Sequence, residues 1–201
     1  MRILTLPENT NDEIQMLRIL LELPELLVHI RKPFHSEKEM ATYIMQFTPD
    51  ERLRLVMHQH HEISIDLGVR HLHFPAAMRD NGISMFTNKR HSGTISTVRW
   101  STSTHSWEEY LALSSSFDAA FISPLYPSFS KPGYGMGRPI IWEDKRSNHT
   151  TKLIGLGGIN AERLTALKNS TFDDFALCGA LWYASDTIKE AQTCYKIIHS
   201  Y

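Results

Sequence analysis

The sequence predicts a single (β/α)8 TIM barrel that spans residues 1–201 as one domain. Three observations predict this fold class. Short apolar runs alternate with amphipathic segments along the chain, no Gly/Ser-rich linker or low-complexity block divides them, and the apolar runs number eight. Eight buried strands with helical crossovers in about 200 residues fit a closed barrel. The competing layout, an open doubly wound sheet, requires a glycine fingerprint after the first strand, where this chain has Pro7-Glu8-Asn9-Thr10.

The predicted strands are the apolar runs, and the predicted helices begin at polar caps between them. The strands cover residues 3–6, 26–31, 53–58, 69–74, 95–102, 119–123, 152–156 and 175–178. Helices are expected from Asn11-Asp12 to residue 23, from Ser36 towards 47, from Ser106 towards 113, from Asn160 onward, and over 185–198. Residues 75–93 have little periodicity, so this connection is predicted to be a loop or to hold one short helix.

Composition excludes several classes of function. The 21 basic and 22 acidic side chains nearly cancel, so no basic face predicts nucleic-acid binding. No apolar stretch approaches the ~20 residues of a membrane helix, and the N-terminal run has no cleavage-site pattern. The two cysteines, Cys178 and Cys194, lack metal-ligand spacing. We therefore expect a soluble, cytoplasmic protein with small-molecule partners.

The candidate site begins with Ser103-Thr104-His105-Ser106 at the end of the fifth strand. Ser103 and His105 are two residues apart, so both side chains point the same way from a strand tip. A histidine with a pKa near ~6.5 can take a proton from one atom and return it to another at neutral pH. The alternative is that His105 only orients the start of the next helix. A Ser–His hydrolase is disfavoured, because there is no nucleophile elbow.

Phosphate-binding features follow the later strands. The loop over residues 123–135 contains hydroxyls, glycines and one lysine, including Ser128, Ser130 and Lys131. Glycine turns follow the last two strands at Gly157-Gly158 and at Cys178-Gly179-Ala180. A glycine turn alone is common, but its occurrence after both the seventh and the eighth strand is the phosphate pattern of the barrel.

Histidine-rich strand ends raise two further possibilities. On the second strand His29 and Arg31 share a face, and Arg31 could grip a phosphate or carboxylate, or could brace the strand ends through a buried carboxylate. His58, His60, His61, His71 and His73 invite a metal hypothesis. Adjacent strand ends supply no carboxylate or cysteine, so we expect histidines satisfied by hydrogen bonds and no metal site, and their individual roles stay open.

The chain resembles the thiamine phosphate synthase/TenI family of thiamin-biosynthesis barrels. The resemblance covers nearly the whole chain and is carried by His29-Ile30-Arg31, by Ser103-Thr104-His105-Ser106 with Glu108-Glu109, by the 123–135 loop, and by Leu156-Gly157-Gly158-Ile159. It implies that Gly158, Gly179 and Ala180 hold a thiazole phosphate, and that Arg31, Ser103, Ser128, Ser130 and Lys131 lie at pyrophosphate or substrate positions.

Departures from the synthase pattern favour the other branch of this family. The resemblance implies that synthases carry an Asn-Asp pair at the end of strand three and an aspartate shortly after strand four, and that the two aspartates bind Mg²⁺. Here the first position reads His58-Gln59, the second falls near Met78 with Asp80 two residues further, and Pro33 replaces a lysine. The TenI-type thiazole tautomerases also lack the pair, and in them a histidine at the position of His105 transfers a proton within one substrate.

Three functions therefore stay open from the sequence. The first is a thiazole tautomerase-like isomerase that needs no cofactor, with His105 and Ser103 at the reacting centre. The second is a divergent synthase that joins a pyrimidine diphosphate to a thiazole phosphate with Mg²⁺, and the third is a non-catalytic binder of a phosphorylated ligand. Trp142 and Trp182 are candidates for a homodimer contact.

Overall fold

Eight parallel strands pair in sequence order and the eighth closes onto the first, which confirms the predicted barrel. The structure is a computed structural model and describes residues 1–79, 84, 86, 97–129, 133–136 and 146–200. The strands are β1 (Arg2–Leu4), β2 (Leu27–Ile30), β3 (Leu55–Met57), β4 (His71–Phe74), β5 (Arg99–Thr104), β6 (Ala119–Ile122), β7 (Lys152–Leu156) and β8 (Asp174–Leu177).

The fifth strand differs most from its predicted bounds. It ends at Thr104 and not at residue 102, because Ser103 and Thr104 pair with Phe121 and Ile122 of β6. Ser103 is therefore a strand residue, and His105 is the first residue beyond the strand. Residues 95 and 96 of the predicted run lie outside the described residues.

The helices begin near the predicted caps. They are α1 (Glu13–Leu20), α2 (Glu37–Met45), α3 (Pro49–Arg52), α4 (His61–Asp66), α5 (Trp107–Leu111), α6 (Ala161–Ala166), α7 (Gly179–Trp182) and α8 (Thr187–Ile198), with a 3-10 turn at Ala76–Met78. Ser36 forms a capping box with Glu39 at the start of α2. Helix α1 ends at Leu20, short of the predicted residue 23, because Pro24 disfavours helical backbone just before it. In the part of the chain described here, no helix is long and apolar enough to cross a bilayer.

Alternation along each strand separates two environments. Outward side chains such as Ile3, Val28, Leu72 and Trp100 are buried beneath the helices in one large apolar core. Burial of this surface, at about 25 cal/mol per Å², is the main force holding helices to barrel. The inward side chains line the barrel interior, and it is this interior that positions the candidate site.

The barrel interior has two chemically different halves. One set of inward residues, here called the apolar half, comes from β1 and β6 to β8 and comprises Leu4, Ala119, Phe121, Ile154 and Ala176. The other, here called the polar half, comes from β2 to β5 and comprises His29, His58, His73, Ser101 and Ser103, where His58 directly follows β3.

Candidate functional site

A cavity of about 450 Å³ opens at the carboxyl ends of the strands. Its size is that of small-molecule sites, and its position is where TIM barrels bind their ligands. The cavity wall brings together most of the residues expected from the sequence: Arg31, Ser103, His105, Ser128, Gly157, Gly158, Cys178, Gly179 and Ala180. One binding site can therefore use residues from strands β2 and β5 to β8 at the same time.

One predicted site residue, His29, does not line the cavity, and two others are not described. His29 is fully buried below the cavity and does not contribute to the cavity wall in this structure, because its strand position is one inward layer deeper than Arg31. Ser130 and Lys131 lie outside the described residues, as does Asp80. Of the hydroxyls in the 123–129 segment, Ser123 and Ser128 reach the wall.

Hydrogen bonds hold both the backbone and the ring of His105 in place. Its backbone N–H donates to Glu109 Oε2 at 3.0 Å, while Ser106 Oγ accepts from the Glu109 N–H at 3.2 Å at the start of α5. Its ring Nδ1 lies 3.1 Å from the Ser123 carbonyl oxygen. Because a carbonyl only accepts, Nδ1 carries the hydrogen of the neutral ring and Nε2 is the nitrogen left for a ligand. His105 also lines the cavity, so its ring is held beside the space that a ligand would occupy.

Ser103 is hydrogen-bonded to a histidine of the next strand and not to His105. Its Oγ lies 2.9 Å from His73 Nε2, and His73 Nδ1 lies 3.0 Å from Ser101 Oγ. The Ser101 hydroxyl donates to the Leu72 carbonyl, so it accepts from His73 Nδ1–H. His73 Nε2 therefore accepts from the Ser103 hydroxyl, which leaves the lone pairs of Ser103 Oγ for a ligand.

Arg31 is a cation without a counter-ion among the described residues. Its backbone N–H donates to Thr5 Oγ1 at 2.9 Å, and its side chain lines the cavity. No Asp or Glu of the described chain forms a salt bridge with it, and none lines the cavity. The alternative that Arg31 braces strand ends through a buried carboxylate has no support in the described residues. A guanidinium in this setting favours an anionic ligand.

The glycine turn after β7 is required by close backbone packing. Gly157 and Gly158 have φ angles of +105° and +59°, in the region that favours glycine. A Cβ on Gly157 would lie 2.8 Å from Pro124 Cα, and a Cβ on Gly158 would overlap the Pro127 carbonyl oxygen. Packing alone therefore explains why these two residues are glycines, so their glycine identity is not by itself a sign of phosphate binding.

The histidines fall into two groups. His60 and His61 donate to the carbonyls of His35 and Met57, at 2.8 and 3.1 Å, which matches the expected structural use of such side chains. His58 and His73, by contrast, line the cavity, and their rings stack with centroids 4.2 Å apart. Strand register explains this pairing, because Met57 pairs with Leu72 and each histidine follows its paired residue.

The histidines of the polar half are neutral at physiological pH. Burial, followed by repulsion from His58 and His73, holds the pKa of His29 well below its usual value. Burial likewise lowers the pKa of His73 to about 3. The pKa of His58 is lowered by burial first, and then by unfavourable electrostatic interaction of its protonated form with His73 and Arg31. These rings therefore act as hydrogen-bonding or metal-binding groups and do not carry charge.

Sequence reasoning left the roles of His58 and His73 open and did not single out Ser101. The period-two pattern of β4 could have indicated that His73 points inward. The neighbours of that ring depend on the register between β3, β4 and β5, which no single segment contains.

Trp182 contacts its own barrel. Its Nε1–H donates to the Leu4 carbonyl at 2.7 Å, so the polar edge of this indole is used within the subunit. Trp142 lies outside the described residues. The predicted homodimer contact stays a prediction.

The structure is that of a TIM-barrel protein with a cavity of small-molecule size at the carboxyl ends of its strands. No protein-family model matches the sequence, and no curated protein does. Solved structures do resemble it. A thiamine phosphate pyrophosphorylase from Bacteroides thetaiotaomicron has a TM-score of 0.71 and 17% identity over 99% of this chain and 97% of its own.

Two further solved structures show how widely this fold is shared. A thiamine phosphate pyrophosphorylase from Pyrococcus furiosus has a TM-score of 0.72 and 15% identity, over 99% of this chain and 95% of its own. A 3-keto-L-gulonate-6-phosphate decarboxylase from Vibrio cholerae has a TM-score of 0.63 and 12% identity, over 100% and 97%. At these identities the likeness establishes the fold, and function has to be argued from the cavity.

Proposed function

We propose that this chain is a thiamin-biosynthesis enzyme that acts on a phosphorylated thiazole by proton transfer, in the manner of the TenI-type tautomerases it resembles. The observation that carries the proposal is the single cavity in which the oriented ring of His105 faces the same space as the guanidinium of Arg31. One group can move a proton and the other can hold an anion. Two of the solved structures of the same fold are named as thiamine phosphate pyrophosphorylases.

In the proposed reaction His105 Nε2 takes a proton from one atom of the thiazole precursor and returns it to another. Because the proton leaves and re-enters the same molecule, one acid/base group suffices and no second substrate is needed. The hydrogen bond from Nδ1 to the Ser123 carbonyl stabilises the imidazolium that forms in between. Ser103 Oγ lines the same cavity and would orient the ring of the substrate.

Anion binding is assigned to Arg31 together with the backbone at Gly157, Gly158, Gly179 and Ala180, with Cys178 at the same turn and Ser128 on the facing loop. These groups lie around the cavity that holds His105. Ser130 and Lys131 are proposed to add hydroxyl and ammonium contacts. The proposal includes a cytoplasmic location, where Cys178 and Cys194 stay reduced thiols outside any disulfide.

The decisive experiment removes the imidazole of His105. In an assay that couples isomerisation to thiamin phosphate formation, His105→Ala is expected to lose activity by at least about 100-fold, the usual contribution of an acid/base group. The matched control is His149→Ala, which removes an exposed histidine that does not line the cavity. Full activity in His105→Ala would overturn the proposed role.

A second variant tests the anion site. Arg31→Gln is expected to weaken binding of thiazole phosphate by about 10- to 100-fold, because hydrogen bonds to charged groups contribute about 1.5–3 kcal/mol. Arg31→Lys keeps the charge but loses the planar fork, so it should fall between wild type and Arg31→Gln. Equal affinity in all three proteins, measured by calorimetry, would contradict this assignment.

A divergent synthase is the second candidate, favoured by the two pyrophosphorylase structures of the same fold and by Ser128 in the cavity wall. Its chemistry normally depends on Mg²⁺, and no carboxylate of the described residues lines the cavity. Release of pyrophosphate from both phosphorylated substrates, dependent on Mg²⁺, would favour the synthase. Binding of thiazole phosphate without turnover in either assay would favour a non-catalytic binder.

A further inference from the structure

Three buried imidazoles lie close together at the base of the cavity described above, here called the mouth cavity. His29 Nδ1 lies 3.1 Å from His58 Nε2, and the His58 and His73 rings stack at 4.2 Å. One nitrogen from each of these three rings lies within 4.8 Å of the nitrogens of the other two. Ligand nitrogens about 2.0–2.1 Å from a tetrahedral ion lie about 3.3 Å apart, so the rings would have to turn out of the His58–His73 stack to close the cluster around one ion.

The ring of His29 is incompletely satisfied by protein groups. The residue is fully buried, and its Nε2 has no hydrogen-bond partner in the described part of the chain. Buried polar atoms are rarely left unpaired, and each such atom requires an explanation. A cation bound at Nε2 would give this nitrogen a partner, whereas a cation bound at Nδ1, the nitrogen that faces His58, would not.

Neighbouring groups already prepare His73 as a ligand. Ser101 Oγ accepts the hydrogen of His73 Nδ1, so the lone pair of this neutral ring is on Nε2, where Ser103 Oγ now lies. Histidines that bind metals commonly donate their second ring N–H to such a partner. Ser103 Oγ, now 2.9 Å from His73 Nε2, would be displaced from that nitrogen when an ion binds.

We propose that His29, His58 and His73 form a binding site for a zinc-class divalent cation in the floor of the mouth cavity. Three imidazoles without carboxylates favour Zn²⁺ and related nitrogen-binding ions over Mg²⁺. His58 and His73 also line the cavity, so the ion lies within reach of a molecule bound there. Because neutral rings are the ligands, no proton has to be released. Binding requires a shift of tautomer in the His29–His58 pair, rotation of the stacked rings, and displacement of the Ser103 hydroxyl from His73 Nε2.

The test measures metal binding and not turnover, so its result is independent of the proposed function. Chelator-treated protein is titrated with Co²⁺ while visible absorption is recorded, and with Zn²⁺ in competition with a chromophoric chelator. We expect one ion per chain with the absorption of tetrahedral, nitrogen-bound Co²⁺. His29→Gln, His58→Gln and His73→Gln should each weaken binding by more than about 100-fold, since loss of an outer partner alone costs about 10–100-fold.

Two controls separate this site from other histidines. His71→Gln changes a histidine on the same strand as His73 but outside the cluster, and it should bind Zn²⁺ within about twofold of wild type. His105→Ala should also bind as wild type does, even if it abolishes the activity proposed above. Equal affinity of the three cluster variants and wild type would overturn the site, as would no measurable uptake of Zn²⁺ or Co²⁺ by wild type.

A further variant keeps all three rings, so it tests the site even if the histidine variants fail to fold. Ser101→Ala removes only the acceptor of His73 Nδ1–H and should weaken Zn²⁺ binding by about tenfold. Added Zn²⁺ should raise the Tm of wild type and raise that of Ser101→Ala less. An unchanged Tm in wild type at saturating Zn²⁺ would count against the site.

Discussion

Both halves of the barrel interior consist of inward-facing residues, but one half is apolar and the other is polar. The apolar half, with Phe121 and Ile154, fills its space with aliphatic and aromatic groups. The polar half places three neutral imidazoles and the Ser101 hydroxyl in comparable burial, while the Ser103 hydroxyl is half-buried. Apolar packing gains stability from surface removed from water, whereas each buried polar group has to be matched by a partner.

The polar half lowers the stability of the barrel, because burying imidazoles and hydroxyls costs free energy. One half packs apolar side chains against one another, while the other presents nitrogen and oxygen atoms to the cavity. Phe121 lies at the boundary, with its ring centroid 4.8 Å from that of His29 and 5.1 Å from that of His73. The apolar half thereby also fixes the positions of the imidazoles.

The largest expected effect is the loss of stability at acid pH. The pKa of His29, His58 and His73 is lowered in the folded state, mainly by burial, whereas unfolded histidine titrates near ~6.5. Below that pH the unfolded chain binds protons that the folded chain does not. The free energy of unfolding should therefore fall by up to ~1.4 kcal/mol per pH unit for each such histidine, down to its folded pKa.

Urea unfolding of chelator-treated protein between about pH 6.5 and pH 4.5 measures this slope. For His73 the loss should continue towards its folded pKa of about 3. His73→Gln should reduce the slope by up to ~1.4 kcal/mol per pH unit. A slope that is the same in wild type and variant would show that the imidazole of His73 is not buried in its neutral form.

The next largest effect is expected in the apolar half. Phe121→Ala should lower the free energy of unfolding by ~3–5 kcal/mol, because it removes a fully buried ring and leaves a cavity between the two halves. The matched control is Phe34→Ala, whose side chain is 78% exposed, and it should stay within ~0.5 kcal/mol of wild type. Urea unfolding at neutral pH measures both, and similar losses in the two variants would contradict the comparison.

A smaller effect is expected from one hydroxyl of the polar half. Ser101→Ala leaves the His73 Nδ1–H buried without its acceptor and should cost ~1–3 kcal/mol in the free energy of unfolding. Ser147→Ala, at an exposed serine, serves as the control. If both variants unfold at the same urea concentration as wild type, the hydrogen bond does not orient His73.

The smallest effect on stability is expected at the rim. His105→Ala removes an exposed ring and one hydrogen bond to the Ser123 carbonyl, so the free energy of unfolding should fall by only ~0.5–1.5 kcal/mol. Its activity should nevertheless be lost in the coupled assay. A loss of stability as large as that of Phe121→Ala would indicate that His105 has a structural role.

Local pattern predicted much of this fold and part of the candidate site. Runs of apolar residues placed all eight strands within a few residues, and Ser36, Ser106 and Asn160 were found at helix N-caps as expected. Ser103, His105 and the glycine turns could be assigned to one mouth because parallel strands of a closed barrel end on the same side. These inferences need only the order of residues along the chain.

The partners of individual side chains could not be predicted in this way. Ser103 and His105 are near neighbours in sequence and line the same cavity, yet their hydrogen-bond partners differ. Ser103 contacts His73, thirty residues away, while His105 contacts Ser123. Likewise His29 was expected beside Arg31 in the binding site and lies instead beneath it against His58. Strand tilt and register decide these contacts, and both are properties of the closed sheet.

The sequence by itself determined the strand and helix pattern, the barrel class, and the ring of polar residues at the strand ends, because these depend on the periodicity of neighbouring residues. Only the tertiary structure decided that His29, His58 and His73 meet, that the guanidinium of Arg31 has no counter-ion in the described chain, and that a half-polar interior underlies the cavity. The physical reason is that burial and hydrogen-bond partners are set by inter-strand register, which joins residues that are far apart along the chain.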